Sequence, residues 1–171
     1  MFRKFYPDMY VDSTYIIDFE ELYKKGIRGL IFDIDNTLVE HGMPATDRAI
    51  ALFDRLREIG FKTCLISNNK EPRVKPFATE VNSPYVFKAN KPSKKNDLKA
   101  MEIMNTDINS TCFVGDQLFT DVYGANRCNI KSILVKPIHP KEEIQIILKR
   151  KLERIVLFFY KKRNDKNERK N

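Results

Sequence analysis

A hydrophobic run that ends in two closely spaced acids constrains the fold of this chain more than any other feature of its sequence. Residues 30–34 read Leu-Ile-Phe-Asp-Ile, and Asp35, Asn36 and Thr37 follow them. In a β-strand, side chains two residues apart lie on the same side, so a strand that ends here places the carboxylates of Asp33 and Asp35 in one pocket. Two like charges this close repel each other, and a cation relieves the repulsion. The run therefore predicts a buried strand with a cation site at its end, although the same polar residues can also form an ordinary turn.

The two carboxylates are also suited to phosphoryl chemistry. Magnesium ions prefer oxygen ligands, and a carboxylate beside such an ion can attack phosphorus to give an aspartyl-phosphate. Asp33 is the candidate nucleophile. Asp35 is the candidate acid and base, because a second carboxylate nearby can protonate the departing oxygen.

Two later segments supply groups that can bind phosphate oxygens. Ser67 and Asn68 follow the mainly hydrophobic run 63–66, and their hydroxyl and amide groups can donate hydrogen bonds to a phosphoryl oxygen. Lys91 is the third candidate, because a lysine in such a pocket acts as a compact positive charge. Each residue also has a structural interpretation, since Ser67 and Asn68 can cap the next helix and most lysines are solvated surface charges.

A further pair of acids follows another hydrophobic run. Asp116 comes directly after residues 111–115, and Asp121 follows five residues later. Asp116 is placed to complete the metal site with Asp33. Asp121 suits a supporting role, in which it orients a water ligand or Lys91. Gly-Asp at this position can also be a plain strand-to-helix turn, but four strand-end signals in this order favour one shared site.

Together these motifs resemble those of the haloacid dehalogenase (HAD) superfamily of phosphohydrolases. The four motifs of that superfamily correspond in order to Asp33, Asp35 and Thr37, then Ser67, then Lys91, then Asp116 and Asp121. The resemblance implies hydrolysis of a phosphomonoester through an aspartyl-phosphate, with Mg²⁺ as the cofactor. It implies that this ion lies between Asp33, Asp116 and the backbone carbonyl of Asp35. It also implies that the phosphate of the substrate is bound by Thr37, Ser67, Asn68 and Lys91.

The segments around the motifs narrow the resemblance. Residues 5–11, 26–30 and 115–127 are similar to the YqeG-type branch of HAD subfamily IIIA, which includes the mitochondrial and plastid phosphatidylglycerophosphate phosphatases. The similarity extends over about residues 5–137. Asn90 is a departure, because the branch often has a basic residue before the Lys-Pro pair. The resemblance therefore implies phosphatidylglycerophosphate as the first substrate to try, with sugar phosphates, nucleotides and phosphoproteins as alternatives.

The order of the predicted elements favours an α/β fold. Predicted strands alternate with predicted helices, the strands at 28–34, 62–67, 85–88, 111–115 and 131–135 and the helices at 46–59, 71–80, 97–104 and 120–127. Such alternation implies parallel β-α-β units, whose functional loops lie at the carboxyl ends of the strands. With the resemblance, it predicts a three-layer Rossmann-like (HAD) fold with a mainly parallel sheet and helices on both faces. Pro76 should shorten or kink the helix at 71–80.

The intervals between the motifs leave no room for a cap domain, which larger HAD proteins insert between the first and second motifs or between the second and third. A short flap at 39–45 and one helix occupy the first interval, and about one more helix occupies the second. We therefore expect a capless site. Such a site is open to bulky substrates, such as a lipid head group or a macromolecule, because nothing encloses a small metabolite.

The excess positive charge of the chain lies at its C-terminal end. Residues 149–171 contain ten basic and three acidic residues and carry a net charge of +7, against +8 for the whole chain. From Lys141 onward the pattern predicts a helix with one apolar face, formed by Ile144, Ile147, Leu148, Leu152 and Ile155. We divide the chain into a catalytic domain at 1–140 and a basic amphipathic helix and tail at 141–171. Residues 144–163 suit peripheral contact with an anionic membrane, and a helix docked on the sheet with a solvated tail is the alternative.

Composition and cysteine usage limit the class of protein. A chain of 171 residues with 42% hydrophobic residues fits one domain with an ordinary core. Its three cysteines form no paired pattern, which argues for a reducing compartment, and the isolated His41 and His139 do not suggest a zinc site. No secretory signal is apparent, and the longest late hydrophobic stretch, 155–160, is too short to span a bilayer. We expect a cytoplasmic protein with peripheral contact at the inner face of the membrane.

A function of a different class stays open. The chain can instead be a non-catalytic binding protein that keeps the fold and uses its basic tail on a membrane or on RNA. No aromatic-rich RNA-binding signature accompanies the charges, and DNA is not an expected partner. The intact set of acids together with Lys91 favours the enzyme, whose substrate is a phosphate ester.

Overall fold

The structure is a computed structural model that describes residues 2–139 and 144–168. Within these ranges six strands alternate with six α-helices along the chain. The strands are β1 (Met9–Val11), β2 (Gly29–Phe32), β3 (Lys62–Ile66), β4 (Tyr85–Val86), β5 (Thr111–Gly115) and β6 (Lys131–Val135). The helices are α1 (Phe19–Lys24), α2 (Asp47–Ile59), α3 (Glu71–Glu80), α4 (Lys94–Met104), α5 (Tyr123–Cys128) and α6 (Ile144–Glu168).

The six strands form one parallel sheet in the order β1-β6-β5-β2-β3-β4. From β2 the chain first adds β3 and β4 on one side, and then crosses to add β5 and β6 on the other. Ile31 at the centre of β2 therefore lies between Cys64 of β3 and Phe113 of β5. In open α/β sheets, ligands bind at such a reversal point, outside the carboxyl ends of the strands.

Helices cover both faces of the sheet. Successive side chains of a strand point to opposite faces, so the apolar strands supply a hydrophobic surface on each face for helices to pack against. Leu30 and Phe32 belong to a core shared with α1, α2 and α3. Ile31 belongs to a second core shared with α4 and α5. The predicted three-layer Rossmann-like fold is confirmed, and no separate cap domain lies within the described residues.

Several local signals in the sequence explain where the elements begin and end. The Thr46 side chain accepts a hydrogen bond from the Ala49 backbone N–H at 3.3 Å and caps α2. Gly60 ends that helix at a φ of +110°, in the left-handed region that glycine adopts without strain. Pro76 lies within α3, which still spans the predicted 71–80, since proline removes only one bond of the helical ladder.

The structure also contains elements that the sequence pattern did not predict. These are β1, α1 and short 3₁₀ turns at Arg3–Phe5 and Thr14–Ile16. The predicted helix at 120–127 is instead a π-helical turn at Leu118–Val122 followed by α5. The strand predicted at 28–34 was too long, because β2 stops at Phe32. Asp33 is therefore the first residue beyond the strand.

The C-terminal helix packs on the domain along a different side from the apolar face predicted for it. Glu153 and Val156 of α6 are buried, whereas Leu152 and Ile155 are each 52% exposed. The structure describes the side chains of α6 only from Lys149 to Arg163. The predicted domain boundary at 140/141 and the predicted helix start at Lys141 lie outside the described residues. None of the described helices is both long and apolar enough to cross a membrane.

Candidate active site

Polar residues that follow four neighbouring strands meet at the carboxyl edge of the sheet. Asp33 directly follows β2, Ser67 follows β3, Asp116 follows β5, and Lys91 lies five residues beyond β4. Most of them line a cavity of about 240 Å³. The residues around this cavity are Asp33, Asp35, Asn36, His41, Ser67, Asn68, Asn69, Lys91, Gln117, Thr120 and Lys149.

Lys91 is enclosed by two carboxylates. Its Nζ donates to Asp33 Oδ1 and, at 2.7 Å, to Asp121 Oδ1. The three side chains are between 1% and 9% exposed. Burial alone would lower the pKa of Lys91, but the Asp121 and Asp33 carboxylates raise that pKa above its ordinary value. Asp121 therefore lies where it holds a charged Lys91 against the candidate nucleophile.

Asp33, Asp116 and Asp121 form a cluster of buried carboxylates. One oxygen from each lies within 4.8 Å of the others. The Thr37 hydroxyl lies between two of these carboxylates, with its Oγ1 3.3 Å from both Asp33 Oδ2 and Asp116 Oδ1. The sequence predicted that these four residues share a site, and the fold brings them together.

Burial makes the charged form of these acids unfavourable. The pKa of Asp33 is raised to about 6, because burial raises it more than the charge of Lys91 lowers it, and the Asp121 carboxylate adds to the rise. Burial, followed by the nearby Asp33 carboxylate, raises the pKa of Asp116 well above the usual range, against the effect of Arg150. Lys91 and Arg150 offset the negative charges of Asp33 and Asp116 only in part, so this buried cluster favours the binding of a further positive charge.

The donor set fits a hard divalent cation. The atoms of the cluster are carboxylate oxygens, which suit Mg²⁺ or Ca²⁺ better than the softer metals that prefer thiolate or imidazole ligands. Asp33 and Asp116 were predicted as ligands. Asp121 lies equally close, whereas the side chain of Asp35 is not part of the cluster, and only its backbone carbonyl was predicted to bind the metal.

Asp35 is held in the mouth of the cavity by three donors. Its carboxylate accepts hydrogen bonds from the Gly42 backbone N–H at 2.7 Å, from Asn69 Nδ2 at 2.6 Å and from Arg73 Nη2 at 2.8 Å. Gly42 lies in the predicted flap and Arg73 in the first turn of α3. Sequence reasoning missed Asn69 and Arg73, since only their position just after the second motif marks them.

Ser67 and Asn68 connect the segments around the phosphate pocket. Ser67 is 2% exposed, and its Oγ accepts from the Asn69 backbone N–H at 3.1 Å. Asn68 Oδ1 accepts from the Lys91 backbone N–H at 2.8 Å. Asn68 thus ties the loop that carries Lys91 to the end of β3, while its amide group retains donors for a ligand.

The helix α6 contributes charged side chains that no motif predicted. Lys149 lines the cavity. The guanidinium of Arg150 donates to both the carboxylate and the backbone carbonyl of Asp116. Glu153 accepts from the Leu118 backbone N–H at 2.8 Å and from Arg150 at 3.0 Å. The one signal in the sequence is Glu153 itself, an acid isolated among basic residues.

A second hollow, of about 280 Å³, has Asp116 in its lining. Tyr10, Leu134 and Leu157 give it an apolar lining. Neither Asp33 nor Lys91 lines this hollow, so the chemistry belongs to the cavity at the sheet edge.

Comparison with known proteins identifies the family. The family model described as HAD-hydrolase-like matches residues 88–143. Over 165 residues the chain is 38% identical to the protein named "Probable phosphatase YqeG" of Bacillus subtilis (strain 168), and the match covers 95% of this chain and 96% of that protein. The chain belongs to the YqeG family of HAD-like hydrolases. Membership in the YqeG family confirms the resemblance inferred from Asp33, Ser67, Lys91 and Asp116.

The chain is also similar to a more distant relative in sequence and to two solved structures in fold. The YqeG-family chain is 25% identical over 173 residues to phosphatidylglycerophosphate phosphatase 1, chloroplastic/mitochondrial, of Arabidopsis thaliana, a match that covers 91% of this chain and 47% of that protein. An uncharacterized protein from Listeria monocytogenes serotype 4b superposes with a TM-score of 0.54 at 17% identity, over 69% of this chain and 86% of that one. The cobalt-bound deoxy-D-mannose-octulosonate 8-phosphate phosphatase of Haemophilus influenzae superposes with a TM-score of 0.51 at 11% identity. That match covers 66% of this chain and 80% of the phosphatase. At these identities the two structures show the fold alone.

Proposed function

We propose that this YqeG-family protein is a Mg²⁺-dependent phosphomonoester hydrolase that works through an aspartyl-phosphate intermediate. The observation that carries the proposal is the contact of Lys91 with Asp33 and Asp121, with Asp116 within 4.8 Å of both acids. A nucleophile, a fixed positive charge and a set of metal-binding oxygens thus meet at one point of the sheet edge. Membership in the HAD-like hydrolases, and a relative named as a phosphatase, support the phosphatase activity.

Asp33 performs the first step of the proposed reaction. Together with Asp116 it would hold the metal ion, which when bound offsets the charge of the phosphate and of the nucleophile. The free carboxylate oxygen of Asp33 attacks phosphorus and displaces the alcohol. Thr37, Ser67 and Lys91 bind the non-bridging oxygens as charge redistributes over them.

Asp35 moves the protons in both steps. It protonates the departing alcohol, and it then deprotonates the water that hydrolyses the aspartyl-phosphate. The hydrogen bonds from Gly42, Asn69 and Arg73 fix its carboxylate at the mouth of the cavity, where the alcohol leaves and water enters.

Two substitutions and a chelator test the mechanism on an aryl phosphate. Asp33→Asn should abolish turnover, and full activity of the folded variant would refute the assignment. An aryl leaving group departs without a proton donor, so Asp35→Asn should slow hydrolysis of the intermediate more than its formation. Mass spectrometry should then detect one added phosphoryl group on Asp35→Asn and none on Asp33→Asn. Chelation should stop turnover, and Mg²⁺ should restore it.

A lipid phosphate is the substrate class we propose first, with phosphatidylglycerophosphate as the test compound. The distant relative from Arabidopsis thaliana carries that activity in its name, and no cap domain closes the site within the described residues. A panel should place phosphatidylglycerophosphate beside a sugar phosphate, a nucleotide and a phosphoprotein. The proposal predicts the highest kcat/KM for the lipid, and a soluble ester that is hydrolysed much faster would overturn it.

The exposed side of α6 is proposed to rest on an anionic membrane at the inner face of the cell membrane. Leu152, Ile155 and Phe159 form a stripe at helical spacing, between 44% and 52% exposed. Cations lie beside it, among them Lys162 and Arg163. Apolar side chains flanked by lysine and arginine suit the surface of an anionic bilayer, where each basic residue contributes about 1 kcal/mol. In this proposal residues 1–140 carry the catalytic motifs and 141–171 the membrane contact.

Vesicle flotation tests the membrane contact. Wild-type protein should float with vesicles that contain anionic phospholipid and remain behind with neutral vesicles or at high salt. Ile155→Ser combined with Leu152→Ser should reduce flotation. Leu98→Ser is the matched control, because Leu98 is 51% exposed but lies on α4. Equal flotation of all variants would contradict the proposed surface.

A further inference from the structure

The cavity is lined by a lysine that lies outside the four motifs. Lys149 belongs to α6. The other lysine of the lining, Lys91, is engaged by Asp33 and Asp121. Among the residues that the structure describes, Lys149 forms neither an ion pair nor a hydrogen bond through its side chain. An ammonium group that lines the cavity without a partner in the described part of the protein is placed to bind an anionic group of a ligand.

The backbone that carries Lys149 is anchored by its neighbours on α6. The next residue, Arg150, donates to Asp116. One turn further along, Glu153 is 5% exposed and accepts from the Leu118 backbone N–H at 2.8 Å. Val156 is 3% exposed in the adjoining core. Only the side chain of Lys149 therefore has to be ordered when a ligand binds, which limits the entropy cost.

We infer that Lys149 binds a second anionic group of the substrate, separate from the phosphate that is hydrolysed. The inference rests on the proposed function and deepens it, because it defines the preferred substrate as a phosphomonoester with an additional phosphate or carboxylate. The hydrolysed phosphate is already supplied with donors by Thr37, Ser67 and Lys91, whereas Lys149 enters from a different element. A compact ammonium charge accepts either kind of anion, since it needs no paired geometry.

Soluble phosphomonoesters with and without a second anion separate this contact from any membrane effect. Glycerol 3-phosphate provides the phosphomonoester alone. Glycerophosphoglycerol phosphate, the deacylated head group, adds a diester phosphate, and 3-phosphoglycerate adds a carboxylate. The three esters are compared for wild type and for Lys149→Gln, Lys149→Arg and Lys151→Gln. Lys151 lies two residues further along the same helix and does not line the cavity, so its variant controls for the loss of one charge.

The wild type should prefer at least one ester with a second anion by about fivefold in kcat/KM, as for a partly exposed ion pair. Lys149→Gln should lose that preference through a higher KM for the esters with a second anion, with a clearly smaller effect on glycerol 3-phosphate. Lys149→Arg and Lys151→Gln should keep it. An equal loss on all three esters would place Lys149 on the reacting phosphate, and an unchanged preference in Lys149→Gln would remove it from the site. Either result overturns the inference while leaving the phosphatase proposal intact, whereas a wild type that hydrolyses neither these esters nor an aryl phosphate refutes both.

Discussion

Replacing Lys91 with methionine removes the only positive charge that the described structure places between Asp33 and Asp121. Methionine keeps most of the apolar stem of the lysine, so the change acts mainly on charge. The side chains of Lys91, Asp33 and Asp121 are 6%, 9% and 1% exposed, and solvent therefore screens their interactions poorly. Removing one partner of a buried ion pair costs about 3–5 kcal/mol. Because Lys91 serves two carboxylates, we expect a loss near the upper end of that range.

The loss should depend on pH in a defined direction. In the wild type the pKa of Asp33 is already raised to about 6, and Lys91 opposes that rise, so the variant should have a still higher pKa. A carboxyl group whose folded pKa exceeds its unfolded pKa is fully stabilising below the unfolded pKa, and that contribution is lost as pH rises through the folded pKa. The stability deficit of Lys91→Met should therefore be small at pH 5 and large at pH 8.

Urea unfolding in the presence of a chelator measures this effect at the two pH values. At pH 8 the melting temperature of Lys91→Met should also fall by about 10–20 °C, from the usual 2–4 °C per kcal/mol in a domain of this size. Lys95→Met, an exposed residue in the first turn of α4, should change stability by less than about 0.5 kcal/mol. A loss below about 1 kcal/mol for Lys91→Met at pH 8, or equal losses at both pH values, would refute the reasoning.

Three further substitutions test other parts of the structure. Burial raises the pKa of Asp97 to about 7, so the contribution of this carboxyl group to stability should be lost between about pH 4 and 7. Asp97→Asn should remove that part of the pH dependence and gain up to about 4 kcal/mol at pH 8, measured by urea unfolding. Gly115→Ala would place a methyl group 2.6 Å from Asp121 Cβ; displacement of that acid should cost about 1–3 kcal/mol and more than tenfold in aryl phosphate turnover. Glu153→Ala should lower stability by about 1–3 kcal/mol and speed amide hydrogen exchange along α6, and protection equal to wild type would contradict its anchoring role.

The sequence sufficed for five of the six described strands and for the four motif segments, because both depend on strong local signals. Hydrophobic runs such as 111–115 end abruptly at an acid, and parallel strands bring such ends to one edge. The convergence of Asp33, Lys91 and Asp116 follows from those two facts. By contrast, β1 has three residues, none of them buried, and so carries no hydrophobic pattern that distinguishes it from a loop.

The partners of the motif residues could not be predicted in the same way. Arg73 and Asn69 reach Asp35 only because the turn after β3 leads into α3 at one particular angle, which no spacing rule specifies. Arg150 belongs to a segment whose charge equally suits a solvated tail, and its contact with Asp116 depends on the docking of a helix far along the chain. Sequence patterns define which residues share an element, whereas such contacts depend on how distant elements pack.

The helix α6 connects the two proposals that concern the substrate. Lys149 lines the cavity, and the exposed Ile155 lies six residues further along the same helix, a separation of about 9 Å along the axis. A helix anchored through Glu153 and Val156 keeps that separation fixed. If the apolar stripe rests on a bilayer, the mouth of the cavity is therefore held close to the level of the lipid head groups. On the two proposals together, a phosphate ester that is part of a membrane lipid would reach Asp33 without leaving the bilayer, and no cap domain within the described residues would stand in its way.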